Sequence, residues 1–165
     1  MILLKPETGI GKSASNHHSK ICQPKASSKI RALAQGVRMT KVEAFDKAWR
    51  LGFKGDFSLF DEIYHPEFKG VMPVADEIEL NIDSLKEAIY TLKDFIIFTS
   101  PKVLIENAIF LKLHRYNKLK EADIFSLVTW TLNYKEGKII NQAFDLEELD
   151  YDPSEGQDWN WEDYE

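Results

Sequence analysis

The hydrophobic period of this chain changes once, at Thr99-Ser100-Pro101, and that change constrains the fold more than any other feature. Before it, apolar residues recur at the spacing of one helix face. Val42, Phe45, Ala48 and Trp49 form a first helix stopped by Gly52 and Gly55. Phe57, Phe60, Ile63 and Tyr64 form a short second helix that Asp56 can cap and His65-Pro66 closes, the His65 ring bonding the terminal carbonyls. After a brief extended piece at 67–74, Asp83 caps a third helix whose face is Leu85, Ala88, Ile89, Leu92 and Phe95 or Ile96.

Beyond Pro101 the pattern becomes near-period-two and rich in β-branched and aromatic residues, as strands require. Residues 102–116 read as one long or broken strand, 117–122 as a hairpin loop and 123–134 as a strand. Lys135-Glu136-Gly137 is a tight turn, and 138–146 is the returning strand. Helices followed by an antiparallel meander make the class α+β, with three helices available to cover the apolar face of the sheet.

With 165 residues, 44% of them hydrophobic, the chain suits one globular core rather than two. The single Cys22 excludes a disulfide framework and a multi-cysteine metal site, and makes a reducing, cytoplasmic compartment the default. No apolar run approaches the roughly 18 residues a membrane span needs. The net charge of −6 is unevenly spread: residues 1–38 carry +6, 39–144 carry −2 and 145–165 carry −10.

The basic block 1–38 reads as disordered. It fits an extension upstream of a start at Met39, an organellar targeting peptide, or an arm for an acidic partner. Its Pro6-Glu7-Thr8-Gly9-Ile10-Gly11-Lys12-Ser13 ends like a phosphate-binding loop, but Pro6 stands where Gly is needed and no good helix follows. The acidic tail 149–165 contains Trp159, Trp161 and Tyr164, which either dock back on the domain or bind a basic partner, unless the tail only solvates. No basic stripe with interleaved aromatics suggests nucleic acid, and no spacing of His or carboxylates on a regular element suggests a metal. No cofactor motif is present.

The order of elements carries a family likeness. A short helix ending in His65-Pro66-Glu67-Phe68, a third helix, and strands closing with Tyr134-Lys135-Glu136-Gly137-Lys138-Ile139-Ile140 resemble the nuclear transport factor 2-like superfamily, in particular its SnoaL-like, polyketide cyclase-like branch, over residues 40–148. The resemblance implies a cone: three N-terminal helices packed on a curved antiparallel sheet around an apolar pocket. It also implies a homodimer formed through the sheet. Members of the fold include isomerases, cyclases, dehydratases and non-catalytic binding modules, so fold does not decide function.

Candidate site residues follow from polar groups on apolar faces. On the last strand Gln142 is the single amide among Ile140, Phe144 and Leu146; on its neighbour Ser126 and Trp130 share a face with Ile124, Val128 and Leu132. Tyr64, Tyr90 and Trp49 complete the expected ligand pocket, against the plainer reading of ordinary core with Gln142 bonded to a neighbour. The resemblance implies an acid shortly after the Gly-Lys-Ile turn as a catalytic base, which would be Asp145, although its parity is opposite to that of Gln142 and it also suits a solvated start of the tail. Gln142 itself cannot act as acid or base. His114, on the face of Phe110, Lys112 and Tyr116, is the second catalytic candidate. The expected function is a pocket protein for a small apolar or partly polar metabolite, with proton transfer (isomerase, cyclase or dehydratase type) open. The alternative is a non-catalytic dimeric binding or adaptor module, without nucleic acid or membrane as partner.

Overall fold

A capping box starts the first helix: Thr40 Oγ1 accepts from the Glu43 amide at 3.3 Å, and Glu43 Oε2 accepts from the Thr40 amide at 2.7 Å. In the computed structural model, which describes residues 39–72 and 78–165, this helix is α1 (Lys41–Phe53). It is followed by α2 (Ser58–Ile63), β1 (Tyr64–Met72), β2 (Ile78–Leu80), α3 (Ile82–Leu92), β3 (Ile96–Phe98), β4 (Lys102–Glu106), β5 (Phe110–Leu119), β6 (Phe125–Lys135) and β7 (Lys138–Leu149). A single 3-10 turn, Trp161–Tyr164, ends the chain. The readings made for residues 1–38 lie outside the described residues.

The strands form one curved, unclosed sheet in the order β2-β1-β7-β6-β5-β3, with β4 also paired to β5. The meander β5-β6-β7 is antiparallel as expected, and Glu136 (φ 53) and Gly137 (φ +79) supply the two left-handed residues that its second, two-residue turn demands. The sheet is nevertheless mixed, because β1 runs parallel to β7. That pairing joins segments about seventy residues apart, and no local pattern announces it.

Other boundaries also move. Phe57 occupies the N-cap of α2, while Asp56 Oδ1 accepts from the Ser58 amide at 3.0 Å. Asn81, not Asp83, caps α3 through a 2.9 Å bond from the Ser84 amide, and α3 ends at Leu92, so Ile96 belongs to β3. His65 caps no helix: α2 passes directly into β1, and His65 Nδ1 accepts from the Glu67 amide at 3.1 Å. The segment read as one long or broken strand over 102–116 is broken, as the β4-β5 hairpin.

The three helices of the described residues cover one face of the sheet. Phe45, Ala48 and Trp49 from α1, Leu59 and Phe60 from α2, and Leu85 and Ile89 from α3 pack on Leu111, Leu113, Val128, Trp130, Leu132 and Ile139. Gly52 lets α1 approach α3 closely, since a Cβ there would meet Ile89 Cγ2 and Phe57 Cε1 at 3.1 Å. A bulge opposite Asn133 and Tyr134 sets the inner parity of β7: Tyr134 pairs with Ile139 and Asn133 with Asn141, so Ile139 and Gln142 both face inward while Ile140 does not.

The acidic tail packs on the opposite, outer face. Trp161 is buried with Ile97 and Phe125, stacking on Phe125 with ring centroids 5.8 Å apart, and Trp159 stacks on Tyr116 at 6.4 Å. Trp161 Nε1 donates to Asp152 Oδ1 at 3.0 Å, which also accepts from the amide and hydroxyl of Ser154. Burial raises the Asp152 pKa, but these bonds and the field of Lys118 outweigh it and hold the carboxyl below its ordinary value. The stabilisation from this carboxylate is therefore present above the ordinary carboxylate range and lost as pH falls through its depressed value. Replacing Trp161 by Ala should cost about 3 kcal/mol in denaturant unfolding, as for other buried tryptophans, and expose the tail to proteolysis. An unchanged unfolding midpoint would mean that the tail does not dock.

Candidate ligand-binding site

Alternation along three adjacent strands builds the inner wall of a cavity. On β5 the inward positions are Leu111, Leu113, Arg115, Asn117 and Leu119; on β6 they are Ser126, Val128, Trp130 and Leu132; on β7 they are Gln142, Phe144, Leu146 and Glu148. The register sets Arg115 opposite Val128, Leu113 opposite Trp130 and Leu132 opposite Gln142. Helix α3 forms the other wall with Leu85, Ala88, Ile89 and Leu92, and Trp49 of α1 reaches the inner end. The enclosed space is about 340 Å³.

The cavity has two chemically different ends. Leu119, Ile124, Leu146 and Glu148 are exposed and rim one end, whereas Trp49, Arg115, Trp130 and Gln142 are buried at the other. Gln142 is fixed there by Tyr64, whose hydroxyl donates to Gln142 Oε1 at 2.7 Å. Burial raises the Tyr64 phenol far above its ordinary value, which the neighbouring Trp49 indole and the field of Arg115 only partly offset, so it is a neutral donor.

Arg115 is 2% exposed, and its Nε, Nη1 and Nη2 atoms have no hydrogen-bond partner among the described residues. Aromatic faces surround it instead: Cζ lies 3.9 Å from the ring centroid of Phe98, 4.6 Å from Trp49 and 5.7 Å from Trp130. Burial pushes its pKa down to about 9; the field of Asp46 opposes this, Arg50 adds to it, and Tyr64 opposes it slightly. The group is thus a cation at neutral pH. Asp46 already binds Arg50, Oδ2 to Nε at 2.9 Å, and no described carboxylate oxygen lies within 4.0 Å of Arg115. The indole N–H of Trp130 is likewise unpartnered, and that of Trp49, which acts on the Tyr64 phenol, makes no hydrogen bond of good geometry.

Of the residues singled out from sequence, Gln142, Trp130, Ser126 and Trp49 line the cavity, and Tyr64 stands behind Gln142. Tyr90 does not: it is exposed on α3 with Lys93 Nζ 3.5 Å from its ring centroid. Asp145 is exposed opposite Thr129 on the outer face, because the bulge lies before Gln142 and leaves the parity after it unbroken. His114 is also outward, opposite Thr129 and Lys102, with its pKa lowered by partial burial and then by Lys102. The structure therefore brings neither proposed catalytic group to the cavity. Sequence reasoning missed Arg115; the signal was a cation continuing the alternation Leu111, Leu113 on β5.

Among the described residues no group of three or more His, Cys, Asp or Glu could hold a metal ion, and no helix is long and apolar enough to cross a membrane. Replacing Tyr64 by Phe should leave Gln142 Oε1 without its donor and cost about 1–3 kcal/mol. The double variant Tyr64→Phe, Gln142→Met should recover part of that loss, since both polar partners are then gone. A denaturant double-mutant cycle without coupling would show that the bond contributes nothing.

No family model matches the sequence, and no curated protein matches it. Solved structures do share its fold. A candidate isomerase from Rhodopseudomonas palustris superposes with a TM-score of 0.53 at 8% identity, covering 66% of this chain and 90% of that one. An NTF2-like protein from Cytophaga hutchinsonii ATCC 33406 gives 0.52 at 10% identity, covering 67% and 92%. One from Burkholderia xenovorans LB400 gives 0.51 at 8% identity, covering 64% and 88%. Over about two thirds of its length this chain thus shares the nuclear transport factor 2-like fold, in which the described helices lie on the inner face of an open curved sheet.

Proposed function

We propose that this protein binds a small, largely apolar metabolite in the cavity between α3 and the inner face of β5, β6 and β7. The observation that carries the reading is the lining: mostly aliphatic and aromatic side chains enclose about 340 Å³, with Arg115 and Gln142 at the buried end and a few further polar groups, Asn117, Ser126, Lys118 and Glu148, elsewhere in the wall. Metabolite sites have this composition and size. An engineered cavity of about 150 Å³ holds benzene, so this one suits a ligand of roughly twice that bulk.

Binding is favoured over proton transfer. The titratable groups in the lining are Arg115, Lys118 and Glu148; Lys118 faces Asp123 at 3.6 Å and Glu148 is exposed at the rim. A base for abstracting a proton beside a carbonyl must be a buried carboxylate or imidazole within reach of the substrate, and the described lining offers neither. The tail does not favour an adaptor role, because Trp159 and Trp161 are engaged with Tyr116 and Phe125 of the same chain. Sheet-to-sheet pairing of two copies, which the fold likeness suggests, would have to use the part of the outer face that the tail leaves uncovered.

Calorimetric titration with octanoate and octanamide tests this reading. At least one should bind the full chain, and Ser126→Trp, which fills the cavity, should weaken that binding at least tenfold without lowering the melting temperature. Failure of both probes to bind the wild-type chain would overturn the proposal.

A further inference from the structure

Most of the buried side-chain atoms left without a partner around the cavity are donors, Asn117 Oδ1 in the same lining and Asp46 Oδ1 being the acceptors among the described residues. Arg115 presents only donors, and Trp49 and Trp130 add two indole N–H groups that can only donate. Buried donors of this kind are costly to leave unpaired, and an unpaired buried cation costs more. Within the described chain the compensation is incomplete: three aromatic faces attract the guanidinium, and Asp46 stabilises it from beyond bonding distance, its own Oδ2 taken by Arg50.

What would satisfy the donors, and the guanidinium above all, is an acceptor with negative charge entering from the cavity. A planar carboxylate matches the fork of a guanidinium in geometry as well as charge. The rest of the ligand must suit Val128, Phe144, Ile89 and Leu92, which make the way to the rim largely apolar, with Asn117 and Ser126 as polar groups along it and Lys118 and Glu148 also in the lining. A doubly charged or strongly hydrated anion would lose its solvation against these walls; a monocarboxylate with an apolar body keeps the charge at one end only.

We propose that the cavity is a site for an apolar monocarboxylate, bound with its carboxylate on Arg115 and its hydrocarbon body directed along α3 towards Leu119, Ile124 and Leu146. This assignment rests on the binding function proposed above and names the chemical class of its ligand. Arg115 is the specificity-determining residue. Trp130 Nε1 and Trp49 Nε1 are the further donors at that end.

The test compares three probes of equal length on the full chain by calorimetry: octanoate, the neutral octanamide and the cationic octylammonium. Charge-assisted hydrogen bonds predict that octanoate binds about 10- to 100-fold more tightly than octanamide, and octylammonium more weakly than either. In Arg115→Met the preference for octanoate should disappear while octanamide still binds. Should that variant fail to fold, the discrimination shown by the wild-type chain decides alone. Equal affinity for octanoate and octanamide, or preference for octylammonium, would overturn the carboxylate assignment and leave the apolar binding function standing; absence of binding by all three would overturn both.

Discussion

A guanidinium held in the core without a bonded counter-ion is the constraint on which the rest of this structure turns. Removing a cation from water costs several kcal/mol even after relaxation, and a protein tolerates it only where other attractions offset the loss. Around Arg115 the offset comes from Phe98, Trp49 and Trp130, three rings from two strands and a helix that must all be in place together. The aromatic cluster is itself linked, with Trp49 and Trp130 edge to face at 4.9 Å and Trp130 against Phe144 at 4.7 Å. The inner end of the cavity is therefore rigid and preorganised, which lowers the ordering cost of binding there.

The two faces of the sheet divide the work. The inner face carries the cavity and the Tyr64–Gln142 bond that ties β1 to the β7 strand running parallel to it. The outer face receives the tail, where Trp161 covers Phe125 and Ile97 and so secures β6 and β3 from behind. Because side chains alternate strictly, pinning Tyr116 and Phe125 outward also fixes Arg115 and Ser126 inward. Ten acidic residues in 145–165 are thereby compatible with a docked segment, since its aromatic side chains, not its charges, meet the sheet.

Much of this arrangement was legible in the sequence. The shift at Pro101 marked the start of the antiparallel hairpins, although β1, β2 and β3 lie before it among the helices, and period-two reading of β6 put Ile124, Ser126, Val128 and Trp130 on one face, where the cavity lies. Gln142 stood out because it interrupts an apolar parity. Ile140 is the exception on that strand: the bulge is a matter of backbone pairing, and Ile139-Ile140 gives no sign of which isoleucine turns inward. The parallel β1–β7 pairing is equally silent, being set by how the helices return the chain to the sheet. Arg115 was passed over because a cation is normally read as solvated. On β5 the eye follows Phe110, His114 and Tyr116, yet the tight core lies on the alternate residues Leu111 and Leu113.

The most direct measurement is a two-dimensional proton–nitrogen NMR spectrum of the arginine side chains, with the Arg115 signal identified by its loss in Arg115→Met. A guanidinium buried and charged should give a slowly exchanging resonance at neutral pH that octanoate shifts strongly and octanamide does not. A rapidly exchanging Arg115 signal, or one that responds equally to both compounds, would contradict the picture of a buried cation waiting for a carboxylate.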